Sequence, residues 1–398
     1  MLPLLLIGLA LWLLWPKESA APTGVDPLTG LPFGSGEGVV VPTPIDEDTE
    51  GEIEPLEEYG TSIETRLFRL TNTPVAGFVI LPSSSTTVIR YVDRATGHIM
   101  ETLFDTNGSL TERRLTNTTL PKVYEAHFRS DGRAVVLRSL RGDSDTIENL
   151  SLTLTPPQGT STTALWSVSA ASLRGTIDAM TPGTGDTVFY VAKDSSSIIS
   201  STFAGDRTRT LFTSPFDNWR LQKFSNNLLI FTKAESTSAG YVYTLNTNGA
   251  LTKLIGPLDG LTASANTSGT ALLYSHFENG ANTFAVMNVV NSSTNTIIPA
   301  TLAEKCAWSQ VKNTLFYCGV PESAIRGDDF DDWYLGKKHF SDYLWSFDTN
   351  TEIAQLIMEP RAEFGVSVDI SSLKISPNEN YAVFINKADM TLWAIKIR

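Results

Sequence analysis

The chain has 398 residues, 18% of them charged and 41% hydrophobic, with a formal net charge of -13. That charge is local: Lys17 to Thr65 holds twelve Asp/Glu and one Lys, a net of -11, which leaves residues 66–398 with 31 acids against 29 bases. A nearly neutral body without a basic stripe excludes a phosphate-backbone binder, so no nucleic acid partner is expected.

Residues 1–15, MLPLLLIGLALWLLW, form an uninterrupted apolar run ending at Pro16-Lys17. With no polar face it does not suit a soluble surface helix, and it predicts an apolar N-terminal helix over residues 1–16. It is shorter than the ~20 residues that span a bilayer and lacks the basic start of a secretory signal. A start a few residues upstream would supply both. Trp12 and Trp15 suit an interfacial anchor, whereas Ser19-Ala20-Ala21 suits a cleavage site. The expectation is a membrane-anchored, extracytoplasmic protein, secreted if the segment is cleaved. Residues 17–60 are rich in Pro, Gly and acids, and such a composition cannot repay the entropy of ordering, so a disordered, self-repelling linker is expected.

From residue 61 to 398 the chain reads as short β-rich runs restarted by Ser/Asn/Asp/Gly turns. Strands starting at Arg133, Thr187, Leu228, Thr270 and Asn313 lie 54, 41, 42 and 43 residues apart, in or near the period of a propeller blade of about 40 to 50 residues. Cut as four-stranded meanders, the first unit has strands near Val75–Leu81, Thr86–Asp93, His98–Phe104 and Leu110–Thr116. The next five occupy about Lys122–Val168, Leu173–Thr213, Asn218–Gly256, Gly260–Ala300 and Ala303–Met358. The seventh has strands near Asp369–Ile375, Tyr381–Asn386 and Thr391–Ile397, one short of four. Thr65–Leu70 is a strand with no unit of its own. Placed beside Thr391–Ile397, it would close the ring and hide the edges that an open one exposes. The fold class expected is all-β, a seven-bladed β-propeller with ring closure by an N-terminal strand.

The units FRSDGRAVV at 128–136 and ISPNENYAVF at 375–384 resemble the S-P-D-G-x-x-I-A-F element of TolB-type, PD40 (WD40-like) propellers. No unit ends in Trp-Asp or opens with Gly-His, which disfavours WD40 proper. With its apolar start and acidic linker, the chain is also similar to bacterial surface proteins that carry one propeller behind a hydrophobic segment. The resemblance implies the fold much more than any activity.

Little in the sequence points to catalysis. His98, His127, His276 and His339 fall in different units without ligand spacing, so no metal is expected. No G-x-S-x-G elbow, Asp box or phosphate loop is present, and neither a catalytic residue nor a cofactor is assigned. Cys306 and Cys318 flank one hairpin, and a turn at Lys312 would set them opposite each other, as a disulfide or as two buried thiols. The largest break in rhythm is the insertion at 321–340, PESAIRGDDFDDWYLGKKHF. There Asp328, Asp329, Asp331 and Asp332 adjoin Trp333-Tyr334 and then Lys337-Lys338-His339. Loops lengthened on a rigid scaffold often carry function, and exposed Trp/Tyr beside charge is hot-spot composition; packing of the pair on its own blade is the structural alternative. The connection at 359–368, with Arg361 and Phe364, should open on the same face beside it. Arg-Gly-Asp triplets at 141–143 and 326–328 are read as turn chemistry rather than adhesion motifs. Together these features suggest a non-enzymatic scaffold that binds protein, peptide or glycan partners at the cell envelope. A secreted glycan-active hydrolase or lyase using the Asp328–Asp332 acids is the alternative.

Overall fold

The computed structural model describes residues 61–62, 65–83, 86–105, 109–142, 146–158, 164–216 and 218–398. The apolar segment and acidic linker anticipated at 1–60 lie outside them. No helix among the described residues is long and apolar enough to cross a membrane.

The described chain is a succession of antiparallel meanders. The first contains Val75–Leu81, Thr86–Asp93, Ile99–Asp105 and Ser109–Arg114, with Thr61–Ser62 as a fifth, outer strand. Four-stranded sheets follow at Val123–Ser172 and Ile177–Thr213. A seven-stranded sheet then spans Trp219–Thr296 because Leu251–Ala265 runs on through two meanders, with a register break between Asp259 and Thr262. Cys306–Met358 makes the next sheet. In the last, Ile370–Ile375, Tyr381–Asn386 and Thr391–Lys396 are joined by Leu67–Arg69, which sets Leu67 opposite Ile395 and Arg69 opposite Trp393.

Burial grades across each meander for a packing reason. Second strands are covered on both faces by neighbouring sheets, so Tyr381–Asn386 is buried throughout and reads as a continuous apolar run. Outer strands such as Arg209–Thr213 have no neighbour on one side and are mostly exposed. Each core cluster is shared by consecutive meanders, and the series does not stop at the last. Val75, Phe78, Ile89, Tyr91 and Phe104 of the first sheet pack with Tyr381, Val383, Ile385 and Leu392 of the final one.

Two hairpin turns show how the sequence starts a strand. In Ser130-Asp131-Gly132, the Asp131 carboxylate accepts the Arg133 N–H at 2.9 Å and Gly132 takes φ +65°, which glycine adopts without strain. In Pro377-Asn378-Glu379 the left-handed position, φ +57°, falls to Glu379. Its carboxylate is held by the Ser309 hydroxyl and by Arg398 at 3.1 Å. Those bonds offset the cost of a non-glycine residue there.

Candidate functional site on the loop face

The insertion folds as a helix, Gly327–Tyr334, and its acids explain its start. Asp328 and Asp329 sit in the first turn, where the helix dipole favours anions, and Asp329 Oδ2 accepts the Arg326 N–H at 3.4 Å. Arg326-Gly327-Asp328 is thus a helix start; Asp143 of the other triplet lies outside the described residues. One face buries Phe330 and Trp333 against Phe277, Leu302 and Ile325. The acids are largely occupied: Asp331 accepts the Ser236 N–H at 2.9 Å and its hydroxyl, Asp329 pairs with Lys338, and Asp332 lies 3.9 Å from Lys337. Asp328 stays exposed.

Of the two readings of the aromatic pair, the exposed hot spot and the packed pair, the side chains follow the packed one. Trp333 is only 5% exposed and donates its indole N–H to Asp369 at 2.9 Å, while Tyr334 is half-buried and donates its hydroxyl to Glu304. The physical reason is helical spacing. Positions 330 and 333 share one face, and that face covers the neighbouring sheet. The 359–368 connection does adjoin the insertion, through Arg361 and Glu322 at 3.2 Å, and half-buried Phe364 packs into the core below. Cys306 and Cys318 stand directly opposite with Cα atoms 4.1 Å apart and are joined as a disulfide.

Beneath these loops, a chain of charged and phenolic side chains rises from the starts of four first strands. Tyr124, Asp178 and Arg220 are each the second residue of such a strand, and Glu304 precedes another. Glu125 pairs with Arg138 and lies 3.0 Å from His127; burial alone would raise its carboxyl, but interactions with these two side chains hold it down at about 2. The Arg138 guanidinium lies 5.3 Å above the Tyr124 ring, whose hydroxyl burial pushes up to about 12. Next round, Asp178 meets Arg220 at 3.6 Å. Arg220 in turn faces Glu304, whose carboxyl is raised by burial against the pull of Tyr334, Arg220 and Lys387. Lys387 sits 4.5 Å above the Trp333 ring, with its ammonium weakened by burial despite nearby Asp369.

Tyr124 Oη is buried with no hydrogen-bond partner among the described residues, and Asp178 Oδ2 has the Arg220 ion pair but no hydrogen bond there. Buried polar atoms are normally paired, and orphans mark places that a ligand group or water satisfies. No group of three His, Cys, Asp or Glu among the described residues is placed to hold a metal. A cleft of about 560 Å³ lies elsewhere, between the outer strands at 294–298 and 348–354. It is less informative than the polar chain: of its titratable groups, Asp348 is already paired with Lys312. Sequence reading missed Tyr124, Asp178, Arg220 and Glu304 because a lone polar residue in a strand looks like a solvent-facing one. The available signal was their shared phase at the start of each unit.

No protein-family model matches the chain, and no curated protein matches it. Solved structures do. YCF48 bound to D1 peptide is 11% identical, covers 83% of this chain and 96% of its own, and superposes with a TM-score of 0.52. YCF48 from Cyanidioschyzon merolae is 10% identical, with coverage of 83% and 98% and a TM-score of 0.50. The β-propeller domain of the trilobed protease from Pyrococcus furiosus is 9% identical, with coverage of 81% and 96% and a TM-score of 0.48. Such identities speak to fold alone, and the fold is a β-propeller.

Proposed function

We propose that the chain is a seven-bladed propeller, closed by Leu67–Arg69 and held at the membrane by residues 1–15, which binds a protein or peptide partner over the mouth of its central channel. Counting the seven-stranded sheet as two blades gives seven units, and the packing of the first sheet on the last supports closure. First strands line the channel in this architecture, so Tyr124, Asp178, Arg220 and Glu304 ring its mouth. The observation that carries the reading is that ring: mixed charges, part-exposed, beside a buried Tyr124 hydroxyl that has no hydrogen-bond partner among the described residues. Mixed charge suits a polypeptide segment with donors and acceptors of both signs better than a uniformly charged polymer. A protein of this fold, YCF48, is seen with a peptide bound, which supports the partner class.

The glycan-active alternative draws less support. It needs a free carboxylate pair on a rigid mount, and Asp329 and Asp331 are engaged in holding the helix. A pull-down from native membranes tests the proposal. A stoichiometric partner should be retained by the natural chain and by Asp331→Asn, and lost at least tenfold by a folded Arg220→Glu variant. Turnover of a glycan panel that Asp331→Asn abolishes would overturn it.

A further inference from the structure

Lys305 is a buried amine that the binding reading leaves unused. Its side chain has no exposure, nor do those of the two carboxylates it touches: Nζ is 2.6 Å from Asp369 Oδ1 and 2.8 Å from Asp342 Oδ2. Trp333 and Phe340 cover the amine, with ring centres at 4.9 and 5.3 Å. The carboxylates differ in how they are held. Asp369 accepts from the Trp333 indole, at 2.9 Å to Oδ2, and from the Phe340 N–H at 3.2 Å. Asp342 Oδ2 accepts the Ile370 N–H at 2.6 Å, but its Oδ1 is buried with no hydrogen-bond partner among the described residues. Burial, partly opposed by Lys305 and reinforced by Asp369, pushes the Asp342 carboxyl up to about 6.

We propose that Lys305 and Asp342 condense into an intramolecular amide, with Asp369 as the proton carrier. One ammonium proton passes through Asp369, which Nζ touches at 2.6 Å, to Asp342 Oδ1, giving a neutral amine beside a neutral acid. Nζ then attacks Cγ, and the negative charge that develops on Oδ2 is met by the Ile370 N–H already aimed at it. Asp369 takes a second proton from Nζ and delivers it to Oδ1. The Cγ–Oδ1 bond breaks, and Oδ1 leaves as water carrying both protons. Oδ2 remains as the amide oxygen, and Asp369 returns to its carboxylate, still held by Trp333 and the Phe340 N–H. Nothing is oxidised or reduced. The orphan oxygen is thus the one that departs, and the oxygen with a backbone donor is the one retained. The aromatic cover keeps water from reversing the step, and loss of two buried charges favours the product. The bond would join the start of the first strand of its blade to the start of the third, beside the Cys306–Cys318 disulfide.

Peptide mapping of the reduced, unfolded full chain tests this. After trypsin, residues 339–361, which contain Asp342, should be found joined to the peptide carrying Lys305, lighter than their sum by one water, about 18 Da. Lys305→Arg and Asp369→Asn, checked for folding by circular dichroism, should yield the two peptides separately. Separate peptides from the natural chain would overturn the proposal even if a variant fails to fold. A branch through Asp369 instead of Asp342 would overturn it as well.

Discussion

At the scale of single residues, the site is organised by how each charge is held. The low carboxyl of Glu125 makes its ionised form a folded-state asset: the stability it contributes is present above the ordinary range near pH 4.5 and is lost as pH falls toward about 2. Glu125→Gln should therefore be less stable than the natural chain at pH 7, and the gap should narrow on acidification below about pH 4.5. Urea titrations across pH 3 to 7 check this. Cys306 and Cys318 show how much the sequence said at this scale. Their opposition followed from the hairpin and its turn, whereas the bond between them depends on Cα separation, which spacing alone does not specify. Tyr124, Asp178 and Arg220 were illegible singly, because a polar residue in a strand has the same appearance whether it faces solvent or a channel.

At the scale of elements, strands were legible and the insertion only half so. Val75–Leu81, Thr86–Asp93 and Tyr381–Asn386 lie where hydrophobic runs bounded by turn residues place them. Ile99–Asp105 is displaced by one residue because His98 still belongs to the turn from Asp93, whose N–H bonds to the His98 carbonyl. The insertion at 321–340 was visible as a break in rhythm, but eight helical residues crowded with acids are too few to show a period. Packing then decided what pattern did not. Trp333→Ala should cost about 3 to 5 kcal/mol through lost burial and the lost indole hydrogen bond to Asp369. Exposed Asp328→Asn should stay within about 0.5 kcal/mol. Chemical denaturation compares the two, and equal, small effects would mean that the helix does not pack as described.

At the scale of the whole molecule, the proposed closure rests on three residues near one end of the described chain. Leu67 is 5% exposed and shares its core with Leu373, Ala382 and Ile395. If that strand completes the last blade, Leu67→Asp buries a charge at the seam and should destabilise the entire propeller by about 3 kcal/mol or more, in one cooperative transition. A separate, early transition confined to residues 61–70 would show instead that the strand is an appendage. The pairing of Leu67–Arg69 with Thr391–Lys396 was readable because the last unit of the sequence lacks a strand and Thr65–Leu70 lacks a unit. The proposed function was less readable, since the residues it rests on lie far apart in the chain.

Hydrogen–deuterium exchange of the full chain, free and with its captured partner, tests binding at that mouth most directly. Binding should slow exchange in segments around Tyr124, Asp178, Arg220, Glu304 and Gly327–Tyr334, and leave the outer strands Arg209–Thr213 and Ile353–Met358 unchanged. Protection confined to those outer strands, with none at the channel mouth, would contradict the account.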